Sequence, residues 1–160
     1  GMILSIDKGS FTGNPGNDVS FHRLYAPNSP HTTTKEVRDC KSCHSDPATL
    51  GYGTGALRYD TNNGKGMWLF TPEYELNRHD NLPEDAWIPF LQEFDKRDTR
   101  STRTDFRPFN LKEQRQILLV GACLQCHTDN SDVMKMTLEH GLEPILKKIS
   151  GACILPSLQK

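Results

Sequence analysis

The sequence predicts a mainly α-helical fold with extensive loops and little or no β-sheet, in one domain over residues 1–160. Three observations lead there. Only 35% of the 160 residues are hydrophobic, and adding the 12 Gly raises this to about 42%, short of the roughly 45–50% usual for globular chains. The 12 Gly and 10 Pro break up long regular elements. The clearest periodic segment, 110–127, has the spacing of an amphipathic helix with a capping residue in front. A chain this poor in apolar side chains is either marginally stable or has its centre filled by something other than side chains.

The elements follow in order. Residues 1–30 are rich in Gly, Asn, Ser and Pro without sustained periodicity and are expected to form an extended loop. Residues 31–44 are expected to form a short helix capped by Thr33 or Thr34. Gly51-Tyr52-Gly53-Thr54-Gly55 is expected to be a turn that lets backbone come close to a flat ligand face, since it lacks the context of a nucleotide-binding fingerprint. Residues 56–104 form an insert whose apolar patch Met67-Trp68-Leu69-Phe70 suits a brief strand or a loop at a ligand edge. From Asn81, a Pro83-Glu84-Asp85 first turn and the face Trp87, Ile88, Leu91 and Phe94 suggest a helix, tightened or broken at Pro89. Residues 95–107 are a polar loop. Asn110, with Glu113 three positions on, opens the strongest helix, whose apolar face is Ile117, Val120 and Leu124. Another helix is expected from Asp129 or Ser131 to His140, with Gly141 at its end, and one or two further turns over 142–149.

Charge is balanced at 19 basic and 20 acidic residues, which leaves no basic footprint for nucleic acid. The longest apolar run, Ile117 to Leu124, is too short to span a bilayer.

The chemistry lies in the cysteines. Of the five, four form Cys40-Lys41-Ser42-Cys43-His44 and Cys123-Leu124-Gln125-Cys126-His127. C-x-x-C-H is the attachment motif for c-type haem. Two thiols about one helical turn apart add to the porphyrin vinyl groups, and the adjacent imidazole becomes an axial iron ligand. Three other readings compete: a four-thiolate zinc site, thioredoxin-like redox chemistry, and two structural disulfides. Zinc ribbons space their pairs by about 15–20 residues, whereas residues 44–122 intervene here. No βαβ pattern surrounds either pair. None of the three requires a histidine after each pair.

At these residues the chain resembles the multihaem c-type cytochromes of bacterial anaerobic respiration. The flanks extend the likeness: Pro30-His31 leading to Arg38-Asp39-Cys40, then Pro47 and Gly51-Tyr52-Gly53, and Phe106-Arg107-Pro108-Phe109-Asn110 leading through Leu119-Val120-Gly121 to Cys123. The resemblance covers about a third of the chain and implies a small dihaem fold organised around two covalent c-type haems. Cys40, Cys43, Cys123 and Cys126 would form the thioethers, with His44 and His127 as proximal ligands. It implies electron transfer, redox-partner proteins or further haem domains of a longer chain, and a bacterial periplasmic or cell-surface location. The long insert argues against close stacking of the two haems.

Four histidines remain as distal candidates, His31, His79, His22 and His140, and mainly bis-His ligation of the two irons is expected; Met134 and Met136 are thioether alternatives. His31 stands out by its place in the resembling segment. Trp68, Phe70, Trp87, Phe90 and Phe94 would pack either on porphyrin faces or in an ordinary core. Cys153 is expected to be a small buried hydrophobe. Two alternatives to electron transfer are a haem enzyme with an open distal site, in which Arg78 or His79 would serve peroxide or oxyanion reduction, and a haem-based sensor.

Overall fold

The computed structural model describes residues 2–25, 38–94, 99–101, 103–149, 151 and 153–158. Its elements are strands β1 (Met2–Asp7) and β2 (Val19–Tyr25), short helices α1 (Cys40–His44) and α2 (Pro47–Leu50), strands β3 (Gly55–Asp60), β4 (Met67–Pro72) and β5 (Thr99–Ser101), and helices α3 (Leu111–Cys123), α4 (Asp132–His140) and α5 (Glu143–Leu146). Strand takes 21% of residues against 32% helix, so the fold is mixed α/β, and the expectation of a mainly α chain without sheet is overturned.

The N-terminal segment accounts for much of that error. β1 and β2 pair antiparallel, and β5 joins β2 in parallel to give the order β1-β2-β5. The Gly, Asn and Pro residues that suggested loop are concentrated between the strands, where the Asp7 carboxylate accepts bonds from the Ser10 hydroxyl at 2.7 Å and the Gly16 amide at 2.9 Å. The alternation in β2 was hidden because a charged residue holds an inward position: Arg23 is only 4% exposed. Its guanidinium donates to both Asp80 carboxylate oxygens and to the carbonyls of Glu84 and Ala86, which satisfies the buried charge and ties the sheet to the 80–86 loop.

The second sheet is the β3–β4 hairpin, with Tyr59 opposite Trp68. It packs with α2, α3 and the 86–94 segment around Leu50, Tyr52, Trp68, Trp87, Ile88, Leu118 and Ala122. Two buried polar links hold this core together. The Tyr52 hydroxyl donates to Gln114 Oε1 at 2.8 Å, and the Trp68 indole donates to the Leu118 carbonyl at 2.9 Å. Among the aromatics, Trp68 and Trp87 are buried in this protein core, with Phe70, Phe90 and Phe94 packed against it.

The helix expected from Asn81 to Phe94 is not formed. Asn81 and Leu91 take left-handed backbone, Pro89 contributes no amide, and the Trp87 and Ile88 amides donate to the Gly51 carbonyl rather than back along their own segment. The glycine turn at 51–53 therefore makes its close approach to protein. By contrast, α3 opens on the expected reciprocal cap between Asn110 and Glu113, and α4 runs from a Ser131 cap to Gly141. The region expected to be helical from residue 31 lies outside the described residues up to 37; α1 itself starts at Cys40 on an Asp39 cap.

Candidate functional site

Each Cys-x-x-Cys-His segment winds as one helical turn, which sets its two thiols about one turn apart. In the first, Asp39 Oδ1 accepts the Ser42 amide at 2.6 Å and fixes the start of α1. In the second, α3 carries Cys123 at its end, and the Cys126 and His127 amides both donate to the Cys123 carbonyl, so helical winding continues through the motif.

Although 79 positions separate them in sequence, the two motifs are packed together. α1 lies against α3, and Gly121 makes this possible: a Cβ there would sit 2.8 Å from the His44 carbonyl oxygen and 3.2 Å from the Trp68 ring. Two hydrogen bonds reinforce the contact. The Cys40 amide donates to Asp129 Oδ2 at 3.0 Å, and the Gln125 amide group donates to the Ser45 hydroxyl at 3.2 Å. The long insert therefore does not hold the motifs apart.

His44 is oriented by a third link. Its Nδ1 lies 2.9 Å from the Ile117 carbonyl oxygen. A carbonyl accepts only, so Nδ1 carries a proton, and in the neutral tautomer this bond selects, the lone pair is on Nε2. Metal-bound histidines are commonly held by this kind of bond at the far ring nitrogen.

His127 lies between two cavities. The larger, about 520 Å³, is lined by Tyr59, Ala122, Cys123, Cys126, His127 and Cys153, with Ile154 and Leu155 on its wall. The smaller, about 380 Å³, reaches across to Lys41 of the first motif and to Asp39, which caps it. Burial pushes the Cys123 thiol above its usual range, with neighbouring Cys153 adding to the effect; burial and then Asp129 do the same for Cys40. Neither is the lowered-pKa thiol of an activated redox CxxC pair. None of the five cysteines is in a disulfide. Among the described residues, no three His, Cys, Asp or Glu side chains converge to hold a metal ion, so the two pairs do not meet as one four-thiolate site.

The second motif's surroundings bring together the groups that covalent attachment of a porphyrin would require: two thiols one turn apart, an imidazole beside them, and a space next to all three with Ala122, Ile154 and Leu155 on its wall. At the first motif, the half-buried Cys40 and Cys43 and the oriented His44 form the same donor set.

Among the described residues, the spare histidines are not gathered with the motifs. His22 is half-buried on β2, opposite Leu4, in a sheet that has no extensive packing on α1 or α3. His79 is exposed in a turn and stacks on Phe21 with ring centres 5.1 Å apart. His140 is exposed at the end of α4, 3.6 Å from the Glu139 carboxylate. His31 lies outside the described residues. Met134 is buried, Met136 is exposed, and neither lines the two cavities, nor do Arg78 and His79.

Sequence reasoning misplaced Cys153. It is exposed rather than a small buried hydrophobe, and it shares a cavity with the second motif. No sequence pattern marks that juxtaposition, because it depends on where the C-terminal segment docks. No family model, curated protein or solved structure matches the chain.

Proposed function

We propose that the chain is an electron-transfer module carrying two c-type haems, on Cys40, Cys43 and His44 and on Cys123, Cys126 and His127. The observation that carries this reading is the Nδ1 bond from His44 to the Ile117 carbonyl at 2.9 Å, which leaves Nε2 free to donate. A ligating role explains why a histidine following a CxxC pair is anchored to the helix bearing the other pair. Bound haem supplies an iron that cycles between Fe(III) and Fe(II).

The protein's own part is positional. The α1–α3 contact through Gly121, with the Asp129 and Gln125 bonds, holds the two attachment segments at a fixed mutual spacing. A rigid frame keeps ligand geometry constant between oxidation states, which keeps reorganisation small. The apolar wall of Ala122, Ile154 and Leu155 lowers the local dielectric beside His127. Covalent attachment also implies maturation outside a bacterial cytoplasm, so a periplasmic or cell-surface setting belongs to the same proposal. Redox-partner proteins, or further haem domains of a longer chain, would take up the electrons.

Expression with haem-maturation machinery followed by denaturing mass spectrometry tests the reading. The expected result is two haems that survive denaturation, one lost in Cys40→Ala/Cys43→Ala and the other in Cys123→Ala/Cys126→Ala. Low-spin ferric spectra and reversible reduction are expected of an electron carrier, and a high-spin, five-coordinate iron would favour the substrate-binding alternative. Protein without covalent haem, with all four motif thiols open to alkylation, refutes the proposal.

A further inference from the structure

The larger cavity beside His127 contains one soft donor that the attachment motif does not use. Cys153 lines it together with Cys123, Cys126 and His127, and Tyr59, on the same wall, commits its hydroxyl to the Ile154 carbonyl at 2.8 Å. That bond also holds the segment carrying Cys153 in place. Two further contacts fix it: Pro156 bridges to Gly66, and the Ser157 amide donates to the Gly66 carbonyl at 2.8 Å. Gly66 is required for so close an approach, since a Cβ there would lie 1.8 Å from the Tyr59 hydroxyl and 2.8 Å from the Leu155 carbonyl oxygen. Cys153 is therefore placed at the cavity by a docked segment and not by chance exposure.

Its possible roles narrow quickly. If Cys123 and Cys126 are joined to porphyrin, both vinyl groups are used and no third thioether can form. Neither motif thiol then remains as a disulfide partner. Within the cavity, the partner left for its sulfur is the iron beside His127. None of the spare histidines within the described residues lines this cavity, nor does Met134 or Met136.

We propose that Cys153 is the second axial ligand of the iron held by His127, an assignment that rests on the attachment reading above. On binding, the thiol gives its proton to solvent and its sulfur lone pair to the iron. An anionic thiolate favours Fe(III) over Fe(II) more than a neutral imidazole does, so this centre would be the lower-potential one of the pair. The chain would then carry two unlike irons, which sets a direction for electrons from the second motif toward the first.

The test uses the haem-loaded protein. Cys153→Ala is expected to convert the low-spin ferric signal of the second centre to high-spin, with the first centre unchanged, and to raise the second centre's midpoint potential. Added imidazole should restore a low-spin signal of altered g-values. A second measurement needs no variant: in native ferric protein Cys153 should resist alkylation, despite its exposed position in the chain, and react once the protein is denatured. Haem present on Cys123 and Cys126 with an unchanged Cys153→Ala spectrum, or rapid alkylation of Cys153 in the native ferric protein, overturns this assignment alone. Absence of haem from Cys123 and Cys126 by peptide mass overturns it together with the attachment reading.

Discussion

Gly121→Ala addresses the packing on which the proposed two-haem arrangement depends. On an unconstrained helix the change stabilises, because Ala exceeds Gly in helix propensity by about 1 kcal/mol. Here the added methyl would sit 2.8 Å from the His44 carbonyl oxygen and 3.2 Å from Trp68. Carbon–oxygen contacts normally close at about 3.3–3.6 Å, so α1 must retreat by about half an ångström. It is tethered against retreat by the His44–Ile117 bond at 2.9 Å, and Trp68 by its bond to Leu118, also at 2.9 Å. Overpacking of this kind costs about 1–3 kcal/mol, and weakening one tether adds about 0.5–1.5 kcal/mol. After the propensity gain, a net loss of roughly 1–3 kcal/mol is expected. For a chain of this size that lowers Tm by roughly 3–10 °C. Thermal melts of the haem-loaded protein, with Gln116→Ala at an exposed position of α3 as the control, measure it. The control should shift by less than about 0.5 kcal/mol. A Gly121→Ala protein as stable as wild type, or more so, would refute the close contact between the two motif helices.

Three other outcomes are expected. Tyr52→Phe strands the buried Gln114 Oε1 and should destabilise by about 1–3 kcal/mol in denaturant titration, with partial recovery in Tyr52→Phe/Gln114→Leu, where the unpaired acceptor is also gone. Arg23→Met should cost about 3 kcal/mol by the same assay, the low end for a broken buried pair, because Asp80 keeps some contact with solvent at 21% side-chain exposure. Bonds from Ser10, then Gly16, hold the Asp7 carboxyl below the usual carboxylate range. Its contribution is thus complete above the unfolded value near 3.9 and is lost as pH falls through the lower folded value. The stability gap between wild type and Asp7→Asn should narrow on acidification, and a gap that widens contradicts this.

The helical winding of the two motifs was legible because it is local: Cys40, Cys43 and His44 occupy one helical turn, as do Cys123, Cys126 and His127. The caps of α3 and α4 were legible for the same reason: Asn110 with Glu113, and Ser131 with Gly141, satisfy helix ends from within a few residues. The low apolar content also has a second answer, since a core around Tyr52, Trp68, Trp87 and Leu118 forms from protein alone.

What failed depends on partners distant in sequence. β2 looked like loop because Arg23 occupies an inward position, and only Asp80 with two carbonyls near residue 85 makes that tolerable. Residues 81–94 showed helical periodicity, yet Pro89 and the pull of the Gly51 carbonyl on two amides decided otherwise. The nearness of the two motifs and the presence of Cys153 beside the second were decided in the same way. They arise where a missing Cβ, at Gly121 and Gly66, lets two remote segments touch, and no periodicity along the chain records which segment will arrive.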